Sequence, residues 1–319
     1  MINWAAMQAV SALEARARFP GEAALLAEPR VREFGAVDRV PWARQWTLDI
    51  RTRARSLARI RHWRRFRAAV DEIAIEIGAV KRLFVGHLGL PICHIANVVR
   101  PEQVVVLDAG VVTPKVARLR GSPPKYGRLE VAIRHALLGL RTSPPPEVTF
   151  FTAYDLCVER PDRVVQHGFE QLRAQRACDT NSNETWFIGQ NVVEGGVMTA
   201  ARYEAFVRHV ASRVSSRVRY VPHPREEPAR LAALASSIDI DVTRFDHPIE
   251  LELLARPWPA AIVGVCSSAL HSAATICGGA VPVRALRVRG EDLLRFDEGL
   301  DDIYETLRRG GVQIERGPA

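Results

Sequence analysis

The sequence predicts an α/β protein made of two doubly wound domains facing each other across a cleft. Three observations carry that expectation. Short β-rich apolar runs alternate with stretches of helical periodicity in both halves of the chain. Five of those runs end on a polar residue: RLFVGH at His87, VVVLDAG at Asp108, WFIGQ at Gln190, VRYVPHP at His223, and AIVGVCSS at Ser267 and Ser268. The length of 319 residues, 47% of them hydrophobic, suffices for two cores. Ligands of open parallel sheets sit beyond the carboxyl ends of the strands, so these polar tips should line a common crevice.

The elements follow in order. Residues 3–18 read as a helix, with Met7, Val10, Leu13 and Ala17 at helical spacing and Phe19-Pro20-Gly21 as the stop. Residues 23–26 read as a short buried strand. No strand precedes the first helix, although a doubly wound domain normally starts with one. Residues 51–78 are the most basic stretch. Leu57, Ile60, Trp63, Phe66, Val70, Ile73 and Ile77 form one apolar stripe there, and arginines cover the remainder. That pattern fits an amphipathic helix with a solvated basic face, or a surface for a polyanionic acceptor or anionic membrane. Strands are expected at 82–86 and 104–107. Residues 117–146 are turn-rich, with Pro123-Pro124 and Pro144-Pro145-Pro146, and EVTFFTAYDL holds another strand. The polar segment RACDTNSNE, 176–184, reads as a linker and sets the domains at 1–178 and 179–319. The second half then reads strand 186–189, helix 199–213, strand 218–221, helix 226–236, a short element at 249–254, strand 260–266, helix 268–277 and strand 281–288. Asp239 and Asp241 in SIDIDV read as part of an edge strand.

Charge and cysteines narrow the class. A net charge of +8 and a pI near 9.7 favour anionic partners. Lys81, Lys115 and Lys125 are the only lysines, so the charge is nearly all arginine, and a compositional bias would give the same balance. The five cysteines have no C-x-x-C spacing, which fits a reducing compartment, and no signal peptide opens the chain. A cytoplasmic location is expected. Residues 257–283 carry no Asp, Glu, Lys or Arg, but serines, a histidine and paired glycines interrupt them. They read as strand, turn, helix and strand, not as a membrane span. Phosphate loops, dinucleotide fingerprints, zinc-protease motifs and nucleophile elbows are absent from the sequence. No D-x-D pair suits a metal-held nucleotide diphosphate. A donor carrying a single phosphate, with no metal cofactor, is favoured.

The polar tips supply the chemistry. Asp108, followed by small Ala109 and Gly110, suits a general base for a sugar hydroxyl, or a plain turn. His223, braced by Pro222 and Pro224, suits contact with a phosphate oxygen. Ser267 and Ser268 at a helix start form an anion site, or a simple N-cap. Glu250 could accept hydrogen bonds from ribose, or complement a helix dipole. Gln190 could read a base or phosphate, and His87 could face the acceptor.

Together and in order, these pieces resemble bacterial sialyltransferases of the GT-B fold, with two Rossmann-like domains. The likeness is to lipooligosaccharide sialyltransferases and capsular polysialyltransferases. Their acidic pair before glycine, His-Pro and Ser-Ser correspond to Asp108-Ala109-Gly110, His223-Pro224 and Ser267-Ser268. AMQAVSALEA, TFFTAYDL, FIGQNVVEGGVMTAARY and PIELELL are also similar to family segments. Ala109 departs from the family's second acid, and the missing first strand is a further departure. The resemblance implies an inverting, metal-independent transferase that moves sialic acid or a related nonulosonic acid from a CMP-activated donor to a glycan hydroxyl. Asp108 would be the base. His223 and the two serines would hold the leaving phosphate, with Pro224, Glu250 and Gln190 at the nucleotide. The acceptor would be lipooligosaccharide or capsular polysaccharide. Peripheral inner-membrane contact and a homodimer are admitted, and nucleic acid is not expected. The alternatives are a transferase for another CMP-sugar such as Kdo, or a non-catalytic relative that binds glycan or CMP.

Overall fold

The computed structural model describes residues 5–27, 42–48, 56–111, 113–120, 137–178, 180–295 and 299–318. The arginines at 51, 53 and 55, Pro123-Pro124 and Lys125 lie outside the described residues. Two parallel sheets organise the rest. The first has the order β3 (Arg82–Val85), β4 (Gln103–Leu107), β5 (Thr149–Thr152), β6 (Arg163–Gln166), with every neighbouring pair parallel. It is preceded by α1 (Ala5–Arg18), a parallel pair of β1 (Ala24–Ala27) with β2 (Arg44–Thr47), and α2 (Ser56–Ile77). Helix α3 (Leu90–Val99) joins β3 to β4, and α4 (Thr113–Arg120) follows β4.

After α5 (Glu170–Arg173) comes the second sheet. Its elements run β7 (Glu184–Ile188), α6 (Ala200–Ala211), β8 (Arg217–Val221), α7 (Pro228–Ser237), β9 (Asp241–Val242), α8 (Ile249–Ala255) and β10 (Ala261–Gly264). They continue with α9 (Ser268–Cys277), β11 (Val283–Arg287), α10 (Leu300–Arg309) and β12 (Gln313–Arg316). The strand order is β12-β11-β10-β7-β8-β9, all parallel. The chain enters at the centre, runs outward to β9, returns to β10 beside β7, and runs outward again. That is the doubly wound 3-2-1-4-5-6 order, with its switch point between β7 and β10.

Alternation along the strands loads both faces. Trp186, Ile188, Ile262 and Ala285 pack with Leu253 of α8, Leu270 and Ile276 of α9, and Leu307 of α10. Phe187, Tyr220, Val263 and Leu286 pack with Phe206 and Val210 of α6 and Leu231 of α7. Met7, Val10 and Leu13 of α1 join the first of these cores, so both halves share buried apolar surface. Ser11 and Glu14 are the buried polar residues of α1, and Glu14 has a capping part. Its carboxylate accepts the backbone N–H groups of Gln171 and Leu172 at 3.0 and 2.9 Å and so caps α5.

Several expectations change. The 23–26 run forms β1 one residue later, at Ala24–Ala27, and half-buried, because among the described residues it pairs only with β2, itself mostly exposed. The stripe on α2 buries Phe66 and Val70 against Leu48, Ile95 and Leu140 but leaves Ile60 exposed. The 176–184 segment is held in place: Ala177 donates to Leu254 O, Trp258 to Thr180 O, and Ser182 to Trp258 O. The Arg176 guanidinium lies 3.8 Å over the Trp258 ring. The first sheet's last strand ends at Gln166 and the second sheet's first strand begins at Glu184. Residues 257–283 contain β10 and α9, and among the described residues no helix is long and apolar enough to cross a membrane.

Candidate active site

The carboxyl ends of β4, β5 and β6 bring Asp108, Thr152 and His167 to one edge. Asp108 Oδ1 accepts from the Thr152 hydroxyl at 2.5 Å, and Oδ2 accepts from the Ala153 N–H at 2.7 Å. His167 Nε2 lies 3.6 Å from Oδ2, too far for a hydrogen bond. Tyr154 is buried beside them. Burial, then the charges of Asp108 and Glu250, push its hydroxyl well above the usual phenol range. His87 stands past β3 on the same edge, where its Nδ1 accepts the Gly89 N–H at 2.9 Å. That bond holds the turn into α3.

At the second sheet's switch point, Gln190 and Cys266 follow β7 and β10. Gln190 Oε1 accepts the Cys266 N–H at 3.0 Å. Gln190, expected to read a base or phosphate, thus uses its amide oxygen to tie two strand tips together. Ser267 is the N-cap of α9, its hydroxyl accepting from Ala269 N at 3.3 Å, and Ser268 begins the helix. The positive end of the α9 dipole therefore lies at the switch point, where an anion is favoured.

His223 leaves β8, two strand spacings (about 10 Å) from β10. Its Nδ1 accepts the Arg225 N–H at 3.1 Å, which leaves the ring proton on Nε2. Burial, then the Arg225 charge, pulls its pKa down to about 4. Near pH 7 the ring is neutral and offers one N–H. Pro224 beside it is exposed. Buried Glu226 anchors this corner. It accepts the His223 backbone N–H at 2.6 Å, and the Tyr220 hydroxyl and Arg230 at 2.5 Å each. Arg230 reaches on to Glu194 at 2.8 Å. Neither Glu226 nor Arg230 was singled out from the sequence, because acids and arginines near prolines read as a solvated loop.

The two edges meet along α9. A Cβ on Gly110, which has φ +77°, would come within 3.0 Å of Ser268 Cβ and Oγ. One turn later His271 stacks on Tyr154 with ring centroids 4.0 Å apart. A further turn on, Thr275 Cγ2 lies where a Cβ on Gly168 would meet it at 4.0 Å. Positions 268, 271 and 275 share one helix face, so α9 lies across the strand tips of the first sheet. This changes two expectations. Asp108, expected to open on a cleft, is 0% exposed because α9 covers its edge, and the space beside Gly110 is filled by Ser268. Glu250, expected to face a ribose, is 4% exposed and accepts the Ser272 hydroxyl at 2.5 Å because α8 packs on α9. Burial raises its pKa. The structure therefore gathers Asp108, Ser268 and Glu250 along α9, with His223 on the second sheet's edge.

Residues 149–281 match the alpha-2,8-polysialyltransferase family model. No curated protein matches the chain. A Listeria monocytogenes structure assigned as a UDP-N-acetylglucosamine 2-epimerase is similar at 12% identity and TM-score 0.56, over 98% of this chain and 81% of that one. The spinosyn forosaminyltransferase SpnP is similar at 11% identity and TM-score 0.51, over 97% and 81%. An alpha/beta-galactoside alpha-2,3-sialyltransferase from Photobacterium phosphoreum aligns at 11% identity and TM-score 0.49, over 92% and 99%. At such identities the first two of these likenesses speak to fold alone, and the fold is GT-B. The alpha-2,8-polysialyltransferase match spans less than half of the 319-residue chain, from β5 to the end of α9 and just beyond, and what it implies for the whole chain is taken up as a proposal below.

Proposed function

We propose that this glycosyltransferase moves sialic acid or a related nonulosonic acid from a CMP-activated donor to a glycan hydroxyl, with inversion and without a metal. The observation that carries this reading is the meeting of the Asp108-Ala109-Gly110 turn with Ser268, which sets a carboxylate from one sheet against an anion-favouring helix end of the other. The CMP phosphate would sit at the N-terminus of α9, held by Ser267, Ser268 and the first-turn N–H groups. Nε2–H of neutral His223 would donate to the same phosphate. The bound anion would raise the imidazole's proton affinity, so that it can protonate the leaving group. Asp108 would take the acceptor proton as the acceptor oxygen attacks an oxocarbenium-like anomeric carbon. Since α9 covers Asp108, acceptor entry requires the Tyr154–His271 and Gly110–Ser268 contacts to part.

Turnover and binding separate the roles. Asp108→Asn, which keeps the side-chain volume, should abolish CMP release from CMP-sialic acid in the presence of acceptor while CMP affinity by calorimetry is retained. His223→Ala should weaken both. Unchanged turnover in Asp108→Asn removes Asp108 as base. Ala109, standing where the family carries a second acid, favours a second reading, a CMP- or glycan-binding relative without turnover. In that case the wild-type protein binds CMP and releases none from any donor. A screen of CMP-sugars, Kdo included, settles the donor.

A further inference from the structure

We propose that His167 is the positioning partner of Asp108, completing an aspartate–histidine couple at the tips of β4 and β6; this rests on Asp108 serving as the base. His167 follows β6 directly, and its backbone N–H donates to the Thr152 carbonyl at 2.9 Å. Its ring is fixed by stacking on Phe151, centroids 4.3 Å apart, and by an edge contact with Phe169 at 4.7 Å. That clamp holds Nε2 at 3.6 Å from Asp108 Oδ2.

The unusual feature is the state of the nitrogens. Both ring nitrogens of His167 are buried without a hydrogen-bond partner, as are Tyr154 Oη and His271 Nδ1 nearby. Buried polar atoms are normally paired, and each orphan costs about 1–3 kcal/mol. Packing gives no reason to collect three such residues around one carboxylate. An aromatic side chain at 167 would fill the same space between Phe151 and Phe169 with no orphaned atom. A reaction does give a reason, because the unpaired nitrogen is then the group that engages Asp108 during turnover.

In the transfer step the acceptor O–H proton moves to Oδ2 and the acceptor oxygen bonds to the anomeric carbon. The bond from that carbon to the phosphate oxygen breaks, and its electron pair leaves on CMP. Nε2 of His167 then takes the proton from Oδ2, which restores the carboxylate and leaves an imidazolium paired with it. Thr152 and the Ala153 N–H fix the carboxylate plane, and His167 selects which oxygen faces the acceptor. His271, stacked on Tyr154, is held neutral, since burial drops its pKa to about 4.

The test uses the full chain with His167→Phe, which keeps the stacked ring, and His167→Gln, which returns a polar atom near the Nε2 position. His167→Phe should lower kcat for CMP release 10- to 100-fold with the donor KM within twofold, and His167→Gln should recover part of it. Adding His167→Phe to Asp108→Asn should cost nothing more. In histidine-labelled protein, the side-chain nitrogen resonance of His167 should move when Asp108 becomes Asn, whether or not substrate is present. Unchanged kcat in His167→Phe, or a His167 resonance indifferent to Asp108→Asn, overturns the couple. A wild-type protein that releases no CMP overturns the transferase reading and this role with it.

Discussion

Replacing His271 by phenylalanine should remove much of the protein's loss of stability between pH 7 and pH 5. His271 is buried against Tyr154. Burial lowers its pKa from 6.5 to about 4, with Asp108 opposing and His167 adding to the shift. Between those values the unfolded chain binds a proton at this site and the folded chain does not. The contribution is therefore full above the unfolded pKa and lost as the pH falls toward 4. From the two pKa values the loss at pH 5 is about 2 kcal/mol. Phenylalanine keeps a ring on Tyr154 and binds no proton. Urea unfolding followed by tryptophan fluorescence at pH 7, 6 and 5 measures the difference. The wild-type drop should exceed the variant drop by about 2 kcal/mol at pH 5. A residual slope should persist in both proteins, because His223, His94 and His209 also have lowered pKa values. Parallel pH profiles for the two proteins would refute the burial argument and the closed α9 seam with it.

Two further outcomes follow from contacts in the site. Glu226→Gln keeps the volume but removes the charge facing Arg230 and loosens the His223 backbone. It should cost about 1–3 kcal/mol in urea unfolding and weaken CMP binding in calorimetry, and an unchanged CMP affinity would show that His223 needs no such anchor. Gly110→Ala must hold a side chain at φ +77° with a Cβ 3.0 Å from Ser268. It should lower stability by about 1 kcal/mol or more and push α9 off the Asp108 edge. A melting temperature equal to that of wild type would show that the seam yields freely.

Much of the second sheet was legible, and the reason is physical. Strands buried on both faces read as continuous apolar runs, and those at 184–188, 217–221 and 261–264 fall where the sequence placed them. Beyond the strand at 281–288 no element is read from the sequence, although Leu300, Ile303, Tyr304 and Leu307 of α10 stand at helical spacing; two other misses had weaker local signals. RVVQ, the β6 segment, holds two apolar residues at the sheet's edge, so His167 at its tip was passed over although it repeats the polar-tip pattern of Asp108 and His223. LPICHIANVV is apolar on most sides and opens on a Gly-Leu-Pro turn, so α3 did not stand out as a surface helix.

The sequence alone determined which residues end the strands, because alternation between strand and helix is written in local periodicity and each tip is the residue after an apolar run. It also placed a helix start at Ser267-Ser268, which the structure has as the N-cap and first residue of α9. Only the tertiary structure decided what those tips do. Gln190 accepts from Cys266 on the neighbouring strand tip, His87 accepts from Gly89 in its own turn, Glu250 turns into Ser272, and Asp108 is sealed under α9 beside His167 and Tyr154. How closely one sheet's edge packs on a helix from the other depends on surfaces far apart in the chain, which no local pattern encodes.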